Sequence, residues 1–550
     1  MSPPNEIPVP SVRRLRWKLA VAILILAVGV LLGFWWKLDS NRSYQIAVAW
    51  MVAIATGVLL AIWWVFLSGV EWLTRLKGVG IGLLIGGLLC AMFVVEQYSG
   101  DMIPIIRFRW TPTAQERAAA YWKATPKTTE TSPSPVASAA TPEREQILIT
   151  DADWPEFRGR DRDGVVRGLN SKDLRRDWRS QPPRQLWRHP VGLGWSSFAV
   201  VGHRAFTQEQ RGVDEVVVCY DFLKGSELWS HANVARFSEQ MGGDGPRATP
   251  TIHDGKLFAL GAAGILECLD AVTGSVDWST NILTDNKATN ISWGMSGSPL
   301  VIDDVVIVNP GGKAGGSVAA YDRQTGKKVW SSGDNQAAYV APQRLDVDGR
   351  PVALIYDAIA LRVLDPRTGV ALGPEFSWAN DPKINCTQPA VWQDGEQIKI
   401  LVGSGYAKGS VLLSLNHPGE RDWSLTRNWD STQLKLKFNS AVIRDGHVYG
   451  LDEGVLTCLR LSAGGRRWKQ GRFGFGQMLL IDDLLLIQAE SGDIVLVDAT
   501  PEKFHEVTRF PALTSKTWNH PVVVHGKLLV RNGEEAACFE LEPDATATGN

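Results

Sequence analysis

A short unit rich in apolar residues recurs eight times between Trp187 and Leu541, and this repeat restricts the possible folds more than any other feature of the sequence. One unit spans residues 248–278, and the next spans residues 298–330. A full unit has four short apolar runs separated by turn residues, and the last run often carries Trp. Four short strands cannot bury their apolar faces alone, so the units must stack on one another.

Turn residues separate the runs at regular positions. The turns after the first run of each unit are Gly202-His203, Asp254-Gly255, Asp303-Asp304, Asp348-Gly349, Asp394-Gly395, Asp445-Gly446, Asp482-Asp483 and His525-Gly526. Asp-Gly between alternating apolar runs is a strong hairpin signal, because such turns need positive φ angles.

The third run ends at an Asp position, which an x-x-Thr-Gly turn typically follows before the fourth run. In four units Trp stands eight residues after the Asp position: Trp229, Trp278, Trp330 and Trp468. In other units this place holds Gly373, Glu506 or an irregular stretch between His417 and Trp429.

The two ends of the repeat complement each other. The eighth unit stops at residues 539–541 without a fourth run, whereas residues 185–188 (Gln-Leu-Trp-Arg) resemble a fourth run without its first three. Placing this N-terminal strand in the last blade closes the ring and removes an open sheet edge. We therefore predict an all-β fold over residues 151–545, an eight-bladed β-propeller of four-stranded blades with the N-terminal strand closing the last blade, followed by a tail at 546–550.

Three apolar runs precede the repeats, at residues 17–36, 44–67 and 79–95, and each is long enough for a helix that crosses a bilayer. Basic residues before the first run favour a cytoplasmic N-terminus, since cytoplasmic flanks carry excess Lys and Arg: Arg13, Arg14, Arg16 and Lys18. A cleaved signal peptide is the alternative for the first run, but no small-residue cleavage site follows it. We predict a multi-pass membrane anchor over residues 1–98 in the bacterial inner (cytoplasmic) membrane, with the propeller on the periplasmic side.

Residues 99–150 separate the anchor from the repeats. Arg107-Phe108-Arg109-Trp110 is typical of an interfacial segment, and residues 111–146 are rich in Thr, Ser, Pro and Ala. Such a composition does not form a packed core and predicts an extended, partly stiff linker.

Charge and cysteine usage exclude some classes of function. Lys plus Arg is 57 and Asp plus Glu is 58, so no overall basic excess points to nucleic acid, and we expect no nucleic-acid partner. The six cysteines include no Cys-x-x-Cys-His haem motif. Those that fall two residues before the Asp position of their units are Cys219, Cys268, Cys458 and Cys538. Equivalent positions in different blades are held apart, so we expect buried thiols rather than disulfides.

Candidate ligand residues lie in the loops between units, because these loops gather at one mouth of a propeller. The loops combine aromatic side chains with amides and charged groups, as ligand-binding mouths do. The candidates are Trp195, Asp244, Arg247, Trp293, Asn385, Gln388, Lys437, Asn439, Trp518, Asn519 and His520. The alternative is that these polar residues only hydrate a funnel and cap strand ends.

The repeated Ala/Tyr-x-Asp-x-x-Thr-Gly-x-x-x-Trp pattern resembles the pyrroloquinoline-quinone-like propeller repeats of the quinoprotein superfamily. The run Trp154-Pro155-Glu156-Phe157-Arg158-Gly159 is similar to an opening found in a membrane-anchored bacterial branch of that superfamily. The resemblance covers residues 151–545 and implies the propeller fold. It leaves function open, since the superfamily includes alcohol and glucose dehydrogenases as well as an outer-membrane assembly lipoprotein.

For a dehydrogenase, the resemblance implies pyrroloquinoline quinone with calcium as cofactors. Arg247, Lys437 and Lys516 are available for the quinone's carboxylates. The candidates for a cation site and a general base are Asp244, Asn290, Asn385 and Asn439, which form no convincing cluster, so no metal site is assigned. The vicinal disulfide of the alcohol-oxidising relatives is absent from this sequence.

Two functions therefore lead. The first is a binding or scaffolding module for a protein or polysaccharide partner in the cell envelope, with no cofactor assigned, because the sequence shows no complete catalytic set. The second is a pyrroloquinoline-quinone-dependent membrane dehydrogenase of sugars or alcohols that passes electrons to membrane quinone. A hydrolase or lyase that uses mouth residues is a more distant alternative.

Overall fold

The computed structural model of the protein describes residues 15–37, 42–125, 147–395, 397–419 and 422–541. The chain divides into two compact units, Met1–Pro112 and Thr113–Asn550, called here the N-terminal unit and the propeller unit. The predicted tail at 546–550 and residues 126–146 of the predicted linker lie outside the described residues.

The N-terminal unit contains three apolar helices. They are α1 (Trp17–Lys37), α2 (Arg42–Ile62), which continues as a π-helical turn over Trp63–Leu67, and α3 (Trp72–Met92). The stretches Trp17–Trp36, Arg42–Leu67 and Trp72–Met92 are each long and apolar enough to cross a membrane. The first two match the predicted spans closely.

The third helix differs from the predicted span at both ends. It begins at Trp72 rather than at residue 79, although this adds Arg75 to the helix. The Arg75 guanidinium donates to the carbonyl oxygens of Val65 (2.8 Å) and Val70 (2.9 Å), so its polar group is bonded to backbone at the end of the preceding helical segment. The helix ends at Met92 because the chain then forms a strand.

That strand belongs to an antiparallel hairpin of β1 (Phe93–Tyr98) and β2 (Pro104–Phe108). Arg107 on β2 forms an ion pair with Glu96 on β1 at 3.2 Å. The segment predicted to be interfacial therefore consists of the end of β2 and the turn that follows it.

A short helix, α4 (Ala114–Ala124), begins the propeller unit. Thr113 caps it in a capping box with Glu116, and the Tyr121 ring stacks on His189 with centroids 5.2 Å apart. The prediction of an extended linker is wrong here, because this alanine-rich segment caps its own helix and packs against blades of the propeller.

The propeller has eight blades, each built from a four-stranded antiparallel meander, which confirms the predicted fold. Two early segments, β3 (Val165–Val166) and β4 (Arg184–Pro190), flank a short 3₁₀ turn at Ser171–Asp173. Blades 1 and 2 are β5 (Ala199–Val201), β6 (Arg204–Arg211), β7 (Asp214–Asp221), β8 (Glu227–Val234), β9 (Thr251–His253), β10 (Lys256–Leu260), β11 (Ile265–Asp270) and β12 (Val276–Asn281), followed by the helical turn α5 (Ile282–Asp285). Blades 3 and 4 are β13 (Leu300–Ile302), β14 (Val305–Val308), β15 (Val318–Asp322), β16 (Lys328–Ser332), β17 (Gln343–Val347), β18 (Arg350–Tyr356), β19 (Ala360–Leu364) and β20 (Phe376–Ser377).

The remaining blades complete the ring. Blades 5 and 6 are β21 (Ala390–Asp394), β22 (Gln397–Ser404), β23 (Gly409–Asn416), β24 (Ser424–Ser431), β25 (Val442–Arg444), β26 (His447–Asp452), β27 (Val455–Arg460) and β28 (Arg466–Arg472). Blades 7 and 8 are β29 (Gln477–Ile481), β30 (Leu484–Gln488), β31 (Asp493–Asp498), β32 (Glu506–Pro511), β33 (Val522–Val524), β34 (Lys527–Arg531) and β35 (Glu535–Glu540). Blade 8 takes β4 as its outer strand, with Trp187 opposite Cys538, so the predicted closure is confirmed.

Tryptophans of the outer strands hold neighbouring blades together. Each donates its indole N–H, at 2.7–3.2 Å, to a carbonyl in the turn between the third and fourth strands of the next blade. These docking tryptophans and their acceptors are Trp187 to Phe222, Trp229 to Ala271, Trp278 to Arg323, Trp330 to Pro366, Trp429 to Leu461 and Trp468 to Thr500. Trp429, inside the irregular stretch, was not identified from the sequence spacing.

The predicted thiols lie beside these tryptophans. Cys219 pairs across the strands with Trp229, and Cys268 pairs with Trp278 in the same way. Within the described residues the cysteines form no disulfide. Small buried thiols at this position leave room for the indole on the adjacent strand.

Blade 4 is joined to blade 5 in a different way. Its outer strand β20 has only two residues, and an excursion from blade 5 brings Trp423 back against it. The Trp423 N–H donates to the Leu372 oxygen at 3.1 Å, and the indole is buried. The irregular fifth unit therefore has a structural role, since it covers a sheet edge that lacks a docking tryptophan.

Residues 154–166, called the plug, occupy the central channel. Trp154 bridges Val200 on the inner strand of blade 1, and the Pro155 oxygen accepts from the Ile252 N–H of blade 2 at 2.9 Å. The plug ends in β3, which pairs in parallel with β29, the inner strand of blade 7. The channel is therefore filled by the chain's own N-terminal lead-in.

Two buried arginines of the plug bind the inner ends of several blades. Arg162 donates to the carbonyl oxygens of Pro299 (2.6 Å) and Pro342 (2.5 Å), at the start of blades 3 and 4. Arg158 donates to the Ala441 oxygen at 3.2 Å, at the start of blade 6. Both arginines have positive φ, which non-glycine residues adopt only when their surroundings hold them there.

We expect Gly274→Ala to destabilise the propeller by about 1–3 kcal/mol more than Gly255→Ala. Both glycines have φ just above +70°, so both variants carry the same backbone strain. A Cβ at Gly274 would lie 2.5 Å from the ring of Trp229, whereas a Cβ at Gly255 meets nothing within 4 Å. Denaturant unfolding of the full-length protein in detergent, followed by tryptophan fluorescence, measures the difference. Equal losses would contradict the docking role of Trp229.

Arg162→Ala should reduce the free energy of unfolding by about 3 kcal/mol or more, because it leaves Glu156 and several carbonyls buried without their donor. The Glu156 carboxylate accepts a hydrogen bond from the Arg162 Nε at 2.7 Å, and Arg162 is 1% exposed. Arg160→Ala is the matched control, since Arg160 lies in the same segment but is exposed and pairs with Asp151 at the surface. We expect it to cost less than about 1 kcal/mol in the same unfolding experiment.

Candidate functional site

The loops between blades and the loops between second and third strands meet at one end of the propeller, called here the mouth. The hairpin turns and the docking tryptophans belong to the opposite end or to the blade edges. The plug lies beneath the mouth, where Phe157 packs edge-on against His520 with centroids 4.8 Å apart. The mouth is therefore a closed depression rather than the entrance to a pore.

Aromatic side chains follow one side of the mouth in contact with one another. Trp195, after β4, lies 5.1 Å from Trp518, between β32 and β33. Trp518 is 5.1 Å from Phe438, and Phe438 is 5.4 Å from Phe475, measured between ring centroids. These rings come from four different loops and form a continuous aromatic surface.

The other side of the mouth carries Trp293 and Tyr339, with ring centroids 5.5 Å apart. The two sides meet at Gly242, whose carbonyl accepts the Trp195 indole N–H at 2.5 Å. A Cβ on Gly242 would lie 2.6 Å from Trp293, so this glycine permits the close approach of the two tryptophans. The Tyr339 N–H donates to the Asn385 oxygen at 2.9 Å, which continues the ring to the next loop.

Three cationic side chains lie over aromatic rings at the mouth. The Lys516 Nζ is 4.1 Å from the Trp518 centroid, and the Lys437 Nζ is 4.6 Å from the Phe475 centroid. The Arg247 guanidinium lies 4.5 Å above Phe237. Cations over aromatic faces are stabilised by the ring quadrupole, most strongly where water is excluded. The mouth thus combines flat apolar faces with positive charge.

Burial makes one of these cations sensitive to pH. It lowers the pKa of Lys516 to about 8, and although Glu490 opposes this, the nearby charge of Arg247 lowers the pKa further. Burial also lowers the pKa of Arg247 to about 10, which leaves that guanidinium charged at neutral pH. The positive charge of the mouth therefore decreases above neutral pH, mainly at Lys516.

The acidic residues near the mouth hold its loops in shape. Glu490 accepts the Trp518 indole N–H at 2.9 Å, and Glu239 accepts the Met241 N–H at 3.0 Å. Asp244, which the sequence predicted as a site residue, forms an ion pair with the Arg236 guanidinium at 2.8 Å. Each carboxylate is used by the protein itself.

The predicted amides lie one layer below the aromatic ring and are buried. Asn519 donates to the Ser196 oxygen at 2.8 Å, and Asn385 donates to the Asp357 oxygen at 2.9 Å. Gln388 donates to the Ala341 oxygen at 3.1 Å, and Asn439 accepts from the Leu451 N–H at 3.3 Å. These side chains hold the inter-blade loops rather than line the depression.

His520, also among the predicted candidates, lies between the plug and the mouth. Burial, together with the charge of Arg158, lowers the pKa of His520 well below its usual value, so the imidazole is neutral at physiological pH. The structure thus divides the predicted candidates into two groups. The surface of the mouth holds Trp195, Arg247, Trp293, Lys437 and Trp518, and the layer beneath or beside it holds Asp244, Asn385, Gln388, Asn439, Asn519 and His520.

Some mouth residues were not identified from the sequence. Tyr406 and Glu490 lie in loops between second and third strands, and Phe237 and Glu239 lie in the long loop before blade 2. The candidates predicted from the sequence all lie shortly before the first strand of a blade. The alternation of strands places both kinds of loop at the same end, so the meander topology was a signal that could have found them.

The fold and the mouth are those of an eight-bladed β-propeller. Comparisons with known proteins show which propellers it is similar to. A family model described as "Outer membrane protein assembly factor BamB" matches residues 213–470. The lanthanide-dependent methanol dehydrogenase of Methylorubrum extorquens is 26% identical over 313 residues, which cover 54% of this chain and 46% of that protein. The quinohemoprotein alcohol dehydrogenase ADH-IIG of Pseudomonas putida is 37% identical over 79 residues, 14% of this chain and 11% of that protein.

One solved structure supports the fold. The quinohemoprotein alcohol dehydrogenase of Comamonas testosteroni superimposes with a TM-score of 0.54 and 14% identity, covering 72% of this chain and 81% of that one. BamB from Moraxella catarrhalis gives a TM-score of 0.47 at 14% identity, covering 65% and 99%. The propeller is similar to the quinoprotein-like β-propellers. The matched region spans less than half the length of the two curated dehydrogenases.

The mouth fits only part of the cofactor set that this family implies. Lys437 and Lys516 suit the carboxylates of pyrroloquinoline quinone, whereas the Arg247 guanidinium already donates to the Gly243 carbonyl at 2.6 Å. A calcium or lanthanide ion would need carboxylate and amide oxygens, but Asp244 and Asn385 are already bonded within the protein. Among the described residues, no group of three or more His, Cys, Asp or Glu is arranged to hold a metal ion. The residues of the mouth therefore do not fit the cation.

Proposed function

We propose that the protein is a membrane-anchored binding module of the bacterial cell envelope that takes its ligand at the mouth of the propeller. The observation that carries this proposal is the closed depression with its ring of aromatic faces and three cations. The acids and amides nearby are bonded to the protein's own loops, so they are not available as a catalytic set. The apolar helices anchor the chain, and the basic residues before α1 favour a periplasmic propeller.

The chemistry of the mouth favours a carbohydrate chain that bears negative charges. Sugar rings stack on flat aromatic faces such as those of Trp195, Trp293 and Trp518. Lys437, Lys516 and Arg247 stand over or beside such faces, where a carboxylate or phosphate on the sugar would be neutralised. A protein partner is the alternative ligand, and it would present aromatic and acidic side chains to the same surface.

A quinoprotein dehydrogenase is the second candidate. It is supported by the similarity to two alcohol dehydrogenases and by the lysines of the mouth, Lys437 and Lys516, which suit the carboxylates of the quinone. The mouth's lack of suitable oxygen ligands for the accompanying cation weighs against it. The two candidates differ in the ligand they require, so binding experiments separate them.

The test is calorimetric titration of the full-length protein in detergent with two matched ligands, an oligosaccharide of uronic acids and its carboxyl-reduced neutral form. We expect the acidic form to bind at least about tenfold more tightly, and Trp518→Ala to weaken it about tenfold. Lys327→Gln, an exposed lysine at the opposite end, is the control and should leave binding unchanged.

Pyrroloquinoline quinone with calcium is titrated in parallel, with dye reduction assayed on alcohols and aldoses. Quinone binding that is lost in Lys516→Gln, together with turnover, would establish the dehydrogenase and overturn the binding-module proposal. Binding of neither oligosaccharide would overturn the carbohydrate assignment and leave the protein partner to be tested by cross-linking from Trp518.

Binding of the acidic oligosaccharide should weaken several-fold as the pH rises from 7 to 9. Lys516 carries its proton below its pKa of about 8 and loses it above, so attraction for an anion is present at low pH and declines through this range. Lys516→Arg should bind with little change between pH 7 and 9, since a guanidinium keeps its charge. A wild-type affinity that is constant over this range would contradict a role for Lys516 in binding.

A further inference from the structure

A small cleft lies between blades 1 and 2. The polar side chains that line it are Gln208, Glu215, Asn233 and Glu267, and its apolar walls come from Val217, Ala259, Gly261 and Ile265. It has room for about one water-sized particle. Two carboxylates in so small a space raise the question of what balances their charge.

Glu215, on β7, is 5% exposed and only partly bonded. Its Oε1 accepts the Ala262 N–H at 3.1 Å, but its Oε2 is buried and has no hydrogen-bond partner. This oxygen lies against Gly261, where a Cβ would collide with it, so the glycine leaves the space that the carboxylate occupies. A buried carboxylate oxygen without a partner is costly unless something binds it.

Glu267, on β11 of blade 2, faces the same cleft and is 3% exposed. It accepts the Asn233 amide N–H from blade 1 at 2.5 Å, and the His231 Nε2 lies 3.4 Å away. Glu215 and Asn233 are direct neighbours across β7 and β8. The two glutamates therefore belong to one inter-blade cluster with a single amide between them.

The amides of the cleft have their nitrogens bound elsewhere. Gln208 donates to the oxygens of Ala248 (2.7 Å) and Leu260 (3.2 Å), and Asn233 donates to Glu267. Their amide oxygens remain available to the cleft. Four side chains thus present oxygen ligands of the kind that hard cations prefer.

We propose that the cleft between blades 1 and 2 binds a hard divalent cation of the calcium type, with Glu215 and Glu267 as its anionic ligands and Gln208 and Asn233 as neutral ones. The cation would join adjacent blades from opposite sides of the cleft and neutralise the buried carboxylates. None of these four ligands is among the residues assigned above to the mouth.

The burial of Glu215 also affects its pKa. Burial raises the pKa of Glu215 to about 7, although the Ala262 and Ala263 N–H groups and the charge of Arg247 oppose the shift. The other groups facing it are Glu267 on β11 and His231 on β8. Gln has nearly the same shape as Glu and no charge to bury, so Glu215→Gln should fold.

The experiment is thermal unfolding of the full-length protein in detergent at pH 8, with and without CaCl2 at constant ionic strength. At about a hundredfold excess over Kd, calcium should raise the midpoint by about 3 °C. Glu215→Gln and Glu267→Gln should each lose this increase. Glu227→Gln is the matched control, because Glu227 lies on β8 like Asn233 but pairs with Arg211 at 2.8 Å outside the cleft.

Three outcomes would overturn the proposal. One is an unchanged midpoint in calcium at pH 8, another is an equal increase from NaCl, and the third is an increase that persists in both cleft variants. The second cleft variant and the control distinguish loss of the site from general misfolding.

Discussion

The contact on which the ring depends is an indole placed on a glycine of the neighbouring blade. Five of the six docking tryptophans lie against a turn glycine where a Cβ would collide with the indole, and each indole N–H satisfies a carbonyl of the turn. The contact joins the outer strand of one blade to the turn between the third and fourth strands of the next blade, so it fixes the angle between adjacent sheets. Because the same contact recurs around the ring, small per-blade preferences add up to one closed geometry.

The plug changes what such a ring can do. Propeller axes are open in principle, but here Arg158 and Arg162 occupy the axis and bond to carbonyls of blades on different sides. The mouth consequently has a floor made of the chain's own lead-in. A ligand of the kind proposed above would meet a preformed site with aromatic walls.

Much of the fold could be predicted because turn residues and Trp spacing carry local physical requirements. The pairs Asp254-Gly255 and Asp445-Gly446 mark turns through their need for positive φ, and Trp229 or Trp278 marks a docking edge. Trp429 escaped prediction because an excursion shifts it from the regular spacing. The helix α4 escaped because composition averaged over residues 111–146 masked a short alanine-rich stretch.

The centre of the molecule could not be predicted for another reason. Arg158 and Arg162 bond to backbone carbonyls, and a carbonyl has no signature in the sequence. The tryptophans of the mouth were visible as exceptions to the repeat, whereas Tyr406 and Glu490 lie in loops between second and third strands, where the sequence pattern predicted no site. The amides of Asn385 and Asn519 are suitable ligand groups by their chemistry, but both are buried and bond to the protein's own loops instead.

The shared strand of blade 8 has a consequence for the order of folding. β4 and β35 bring residues 187 and 538 together, so β4 emerges from the ribosome long before its partner exists. Blades 1 to 7 can assemble one after another from local contacts, but the last pairing must await nearly the whole chain. Until then two sheet edges remain open, and this interval is when the protein is most exposed to mispairing with other strands.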